Sequence, residues 1–103
     1  MIIKLSKPIK HGESEITELD LRQPTVYDVI SDYEDDQLGY PFVVVSGKSG
    51  TSIKLMPNKV IGYAARLSGL PPSVVKQVSI TDLSKLQTAV MGFFGDEAET
   101  PQT

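Results

Sequence analysis

The sequence predicts an α+β fold with an N-terminal β-hairpin, a second hairpin and a C-terminal cluster of three to four short helices. Up to residue 55, short runs rich in β-branched residues are separated by glycine-containing turns, as in antiparallel strands. After residue 57, apolar residues recur every three or four positions, the spacing of one helix face. The length of 103 residues suits one domain with one modest core.

The first hairpin is predicted from two apolar runs, Ile2–Leu5 and Ile16–Leu21. Polar residues are interspersed in the second run, as in a strand with one buried face. The stretch between the runs contains Gly12, which can adopt the positive φ that a hairpin turn often requires.

A short helix is predicted after Pro24, which cannot donate a hydrogen bond to a strand ladder. Thr25 is in position to cap this helix, with Asp28 in its first turn. Acidic residues 32–36 and Gly39 are expected to end it. Its apolar face is expected to consist of Val26, Val29, Ile30 and Tyr33.

The second hairpin is predicted over Phe42–Ser46 and Thr51–Leu55, two runs rich in β-branched residues. The loop between them, Gly47–Gly50, starts and ends with glycine.

Three helices are predicted in the second half. The first has Pro57 at its first position, ends near Ser68 and is followed by Gly69 as the C-terminal cap. A short helix begins at Pro71 or Pro72 and runs to about Val78. The last is expected over Asp82–Phe94, capped by Thr81 and ended by Gly95. We expect residues 1–95 to form the domain and residues 96–103 to be a flexible acidic tail.

No residue pattern predicts a catalytic, cofactor-binding or metal-binding site. His11 is the single histidine, and the chain has no cysteine. The loop Gly47–Gly50 lacks the spacing of a phosphate-binding loop, and the acidic residues 32–36 lack that of a calcium loop. No apolar run is long enough to span a membrane.

A helix-turn-helix is the main alternative that the spacing allows, with two helices joined at Gly69 within residues 60–78. Residues 57–95 carry four basic side chains against the single acid Asp82. The proposed recognition helix, however, contains one base, Lys76, and phosphate contacts supply much of the affinity for DNA.

Two segments resemble the phage tail assembly chaperones of contractile-tailed, Mu-like temperate phages. The first is I-T-E-L-D-L-R-Q-P-T-V-Y-D, residues 16–28. The second combines A-R-L-S-G-L-P-P-S-V-V, residues 65–75, with a helix that begins I-T-D-L and ends G-F-F, residues 80–94. The resemblance extends over residues 2–95.

The resemblance implies a non-enzymatic assembly factor without a cofactor. Such a protein binds the tape-measure protein in the host cytoplasm, keeps it soluble while the tail tube protein polymerises, and is absent from the mature virion. Self-association and contact with the tail tube protein are further expectations. A small structural component of the tail and a DNA-binding regulator remain as alternatives.

The expected partner-binding strip lies around the prolyl turn, where an apolar surface would hold an amphipathic client helix. Phe93 and Phe94 are expected to close the strip or to mediate self-association. The same side chains could equally form the core of so small a domain. The strip itself consists of Tyr63, Leu67, Leu70, Val74 and Val75.

Overall fold

The computed structural model describes residues 1–30 and 38–99, and for residues 95–99 the backbone only. It confirms an α+β fold with two separate antiparallel hairpins. The elements in chain order are β1 (Ile2–His11), β2 (Ser14–Asp20), α1 (Val26–Val29), β3 (Phe42–Gly47), β4 (Gly50–Leu55), α2 (Pro57–Ser68), α3 (Pro72–Val75) and α4 (Ile80–Glu99).

The core lies where α2 and α4 pack against each other and against one face of the first hairpin. The hairpin contributes Ile9 and Leu19, both almost completely buried. The rest of the buried apolar set is Leu21, Val60, Tyr63, Ala64, Ala65, Leu67, Val74, Val75, Leu86, Ala89 and Val90.

The first hairpin is longer than predicted, because β1 continues to His11 and β2 begins at Ser14. Gly12 has the predicted positive φ, 66°. The pairing register shifts between Lys4 and Ile9, so the middle of β1 leaves the ladder. A shift of this kind bends the strand and frees backbone groups for other partners.

Side chains from the helical half of the chain form hydrogen bonds with the backbone of β1. Ser6 donates its backbone N–H to both carboxylate oxygens of Asp82, at 2.9 and 3.0 Å. The Gln77 side chain accepts from the N–H of Lys10 at 2.9 Å and donates to its carbonyl at 2.8 Å. The outer edge of β1 is therefore covered by side chains from the helical half.

The second hairpin has the predicted bounds to within one residue, with Gly47 paired opposite Gly50. Phe42 and Leu55 at its base are half-buried, but most of the hairpin is exposed. In the described parts of the chain, β3 and β4 pair only with each other. Its exposed apolar residues are Val43, Val44, Val45 and Ile53.

The helix ends confirm some predictions and correct others. α2 ends as predicted, with Gly69 at φ 77°. α3 is one turn that ends at Val75, not Val78, and both its valines are buried. So short an element, with half its residues in the core, does not have the form of a recognition helix.

The predictions for both ends of α4 were wrong. The N-terminal cap is Ser79, whose hydroxyl accepts from the N–H of Asp82 at 3.2 Å, and not Thr81. The helix is also not ended by Gly95, because it continues to Glu99. Glycine ends a helix only where the chain turns left-handed, and the alanine and glutamate residues that follow have high helix propensity.

α1 begins at the predicted residue but is shorter, since Ile30 already has extended backbone angles. Tyr33 and the acidic residues 32–36 lie outside the described residues.

Candidate partner-binding surface

Arg22, Thr25 and Asp28 form one hydrogen-bonded unit at the start of α1. The guanidinium of Arg22 donates to both carboxylate oxygens of Asp28, each at 3.0 Å. The backbone N–H of Thr25 donates to Asp28 at 2.7 Å, which forms a capping box with the predicted cap residue Thr25. Arg66 of α2 lies 3.9 Å from the same carboxylate. The motif thus holds a four-residue helix that is too short to be stable alone.

Charge and hydrogen bonding keep Asp28 ionised although it is buried. The hydrogen bond from Arg22 lowers the pKa of Asp28 and outweighs burial, which raises it. The carbonyls of Asp28 and Val29 accept from the N–H groups of Leu38 and Gly39, at 2.9 and 3.0 Å. The motif therefore also fixes the chain where it enters the second hairpin.

An aromatic cluster connects this chain segment to the end of α4. The ring of Phe94 lies 5.5 Å from Tyr63, 5.7 Å from Tyr40 and 6.2 Å from Phe42, in edge-to-face or nearly edge-to-face arrangements. The hydroxyl of Tyr63 donates to the carbonyl of Gly39. Burial, and secondarily the charge of Asp28, raises the pKa of Tyr63 to about 12.

A shallow apolar groove opens between α1 and the end of α4, and we call it the Phe93 groove. It has a volume of about 600 Å³. Residues 23–25 form its polar rim. Its apolar lining consists of Val26, Val29, Ile30, Tyr40, Phe93 and Phe94.

A second hollow of about 440 Å³ adjoins the Phe93 groove and shares Gln23 and Phe93 with it. Along α4 it is lined by Lys85, Thr88, Ala89 and Gly92. Gly92 leaves this hollow open, since a Cβ built there would meet nothing within 4 Å.

The walls of the Phe93 groove are unusually exposed for apolar side chains. Val26 is 75% exposed and Ile30 is 63% exposed, and Tyr27 and Tyr40 are exposed beside them. A contiguous exposed apolar surface with a polar rim is typical of a site that contacts another protein or a ligand.

Comparison with known protein families places the chain. The family model described as phage tail assembly chaperone proteins, E, or 41 or 14, matches residues 2–95. The chain belongs to this family. No curated protein and no solved structure matches it. The resemblance seen in the sequence is thereby confirmed.

The structure separates the seven residues predicted to bind a partner into two sets. Phe93 and Phe94 are half-buried and line the Phe93 groove. Leu70 is also half-buried and packs against the core. The buried set is Tyr63, Leu67, Val74 and Val75. Partner binding by all seven stays a prediction, which for the buried four would require the core to open.

The rest of the groove was not predicted from the sequence. Val26, Val29 and Ile30 were assigned to the face of an ordinary helix, which normally packs on the core. The signal that could have found them is the number of residues between Pro24 and Gly39. These two residues limit the length of α1, and a short helix buries little of its apolar face.

Two findings concern other kinds of site. In residues 1–30 and 38–94, no group of three or more histidine, aspartate or glutamate side chains is placed to hold a metal ion. None of the described helices is both long enough and apolar enough to cross a membrane.

Proposed function

We propose that this tail assembly chaperone binds the tape-measure protein in the host cytoplasm and keeps it soluble until the tail tube assembles around it. The observation that carries the proposal is the Phe93 groove in a member of this family. The chain then acts by holding its client rather than by chemical catalysis, and it is not retained in the finished particle.

The groove has the form that an amphipathic helix requires. Its floor is built by Phe93 and Phe94 from α4, and its exposed wall by Val26 and Ile30. A client helix with apolar residues at every third or fourth position would place them against this lining. The polar side chains of Gln23 and Thr25 at the rim would face the polar side of such a helix.

The Arg22–Asp28 unit gives the groove its shape, although it contacts no client in this proposal. It fixes α1, and α1 carries the exposed wall. A wall held by an ion pair with the buried Asp28 carboxylate is already in place before binding, so less conformational entropy is lost on association.

Co-expression with the tape-measure protein tests the proposal. We expect the tape-measure protein to remain largely insoluble alone, to become soluble with the chaperone, and to co-purify with it. The double variant Val26→Asp/Ile30→Asp should abolish this effect, whereas Ile80→Asp, at a residue 79% exposed at the other end of α4, should not.

A second variant blocks the surface without adding charge. Gly92→Leu would fill the adjoining hollow, and replacing a helical glycine also favours the helix by roughly 0.5–1 kcal/mol. Loss of client solubility with an undiminished thermal midpoint would support the surface. Equal client solubility in all variants would contradict it.

Mass spectrometry of purified particles distinguishes a chaperone from a structural component. We expect peptides of the tape-measure protein and none of the chaperone. Recovery of the chain in stoichiometric amounts from mature particles would overturn the proposal.

A further inference from the structure

In the described parts of the chain, β3 pairs only with β4, and its outer edge is unpaired. Natural proteins shield exposed strand edges with charged residues, proline or covering elements. β3 reads Phe-Val-Val-Val-Ser-Gly and has no charge, whereas its partner β4 carries Lys54. The backbone of β1, by contrast, is hydrogen-bonded by the side chains of Asp82, Gln77 and Lys85.

The hairpin also lacks support from the rest of the domain. Beyond Phe42 and Leu55, its apolar side chains are exposed on both faces, with Val44 61% exposed and Ile53 58% exposed. An isolated two-stranded hairpin is at best marginally stable in water, and additional strands stabilise it.

We propose that two copies of this chain associate through β3, so that the two hairpins form one antiparallel four-stranded sheet. The strand order is then β4, β3, β3 of the second copy and β4 of the second copy. Such a contact is isologous and closed, because a two-fold axis perpendicular to the sheet relates two identical edges.

Valine pairing selects the register. With Val44 on the two-fold axis, each Val44 lies opposite the other, and Val43 of each copy lies opposite Val45 of the second. Three valine pairs then form across the interface, a type of cross-strand pair that stabilises sheets. A register moved by one residue along each strand would place Val44 opposite Ser46 or Phe42, depending on the direction, and leave a single valine pair.

Charge selects β3 over β4. The hairpin carries Lys48 and Lys54 and no acid. Pairing through β3 places the Lys54 residues on the two outermost strands, roughly 14 Å apart at about 4.8 Å per strand, beyond the Debye length of about 8 Å in physiological salt. Pairing through β4 would bring these two ammonium groups within about one Debye length of each other.

β2 is a weaker partner for the basic hairpin, although it is acidic. Its Glu15 and Glu18 already lie opposite Lys10 and Lys4 within the first hairpin. The second copy's β3 is therefore the partner that best fits this edge. The sheet would join two Phe93 grooves in one particle, which raises avidity for a long client.

Disulfide trapping tests the register, and the chain suits it because it has no native cysteine. In the proposed dimer the Cα atoms of the two Val44 residues lie about 5.5 Å apart, within disulfide range. We expect Val44→Cys to form a covalent dimer under mild oxidation. Ile53→Cys is equally exposed, but its two copies would be roughly 14 Å apart, so this variant should not form a covalent dimer.

Analytical ultracentrifugation measures the association of the two chains without disulfide cross-linking. The paired edges bury less than the roughly 800 Å² per partner of a standard stable interface, so we expect a dissociation constant on the order of 100 µM. Val44→Lys should weaken association more than about tenfold, and Ile53→Lys less than about twofold. Mixing Val44→Lys with Val44→Glu should restore a heterodimer, because the two residues face each other across the axis.

The proposal is overturned if the wild-type chain stays monomeric at about 1 mM, or if Ile53→Cys is trapped as readily as Val44→Cys. Either result leaves client binding at the Phe93 groove unaffected, since that function is measured by tape-measure solubility. Circular dichroism and thermal midpoints of the variants would show that a lost dimer is not a lost fold.

Discussion

The two β-hairpins have the same kind of sequence, short apolar runs around a glycine turn, and opposite surroundings. The first buries Ile9 and Leu19 in the core, and its outer edge is covered by Gln77 and Asp82. The second exposes valines on both faces, and no strand in the described parts of the chain pairs with its outer edge. Both hairpins fold from local signals, but distant residues decide which of them is built into the domain.

The two hairpins differ in what their apolar side chains contact. The first hairpin is a wall of the core and should respond to mutation as core does. The second, together with the Phe93 groove, carries most of the large exposed apolar side chains, which contribute little to the stability of one chain. These side chains are therefore available for contacts between molecules.

Matched truncations in the two hairpins give the largest expected effect. Leu19→Ala removes a side chain that is 1% exposed, and should lower the free energy of unfolding by about 2–5 kcal/mol. Ile53→Ala in the second hairpin should change it by about 0.5 kcal/mol or less in dilute protein. Urea unfolding of both variants measures this difference, and similar losses would refute the contrast between the hairpins.

Removal of the hydrogen bonds between the first hairpin and Asp82 of α4 should have the next largest effect on stability. Asp82 is fully buried, and its carboxylate accepts hydrogen bonds from Ser6 and Lys7. Asp82→Asn keeps the shape but replaces one acceptor oxygen with an NH₂ donor, so we expect a loss of about 1–3 kcal/mol. Lys54→Ala on the uncovered hairpin is the control and should cost about 0.5 kcal/mol or less.

The smallest effect concerns pH. Burial raises the pKa of Asp82, but hydrogen bonds from Ser6 and Lys7 outweigh it, so the folded pKa lies below the ordinary value. A depressed pKa stabilises the fold above the unfolded value of about 3.9, and this contribution is lost as pH falls through the folded pKa. The Asp82→Asn variant lacks this component.

Urea unfolding at about pH 7 and about pH 3 measures the pH effect. Stability should fall toward the lower pH in the wild-type chain and fall less in Asp82→Asn, while the pKa of Asp28, which is also lowered, keeps part of the dependence. An identical pH dependence of stability in both proteins would show that the ionisation of Asp82 does not stabilise the fold.

Local sequence signals were sufficient for the elements themselves. Gly12, Gly69 and Thr25 as the cap of α1, with Asp28 in its first turn, all occupy the predicted positions. The ends of α4 were not predictable from local rules alone, because Ser79 and Thr81 are both plausible caps. The choice of Ser79 accompanies the contact of Asp82 with Ser6, which lies 76 residues away in sequence.

The partner surface was harder to predict, because apolar periodicity does not distinguish core from interface. Tyr63, Leu67, Val74 and Val75 have the spacing of a binding strip and are buried. Val26 and Ile30 have the spacing of a core face and are exposed. Which face is buried depends on the packing of α2 against α4, and no local pattern encodes it.

The solubility of the tape-measure protein in the presence of matched chaperone variants tests the central claim most directly. We predict that wild-type chain and Ile80→Asp keep it soluble, and that Val26→Asp/Ile30→Asp does not, although all three are folded. Full solubility with the double aspartate variant, or aggregation with the folded wild-type chain, would contradict the account.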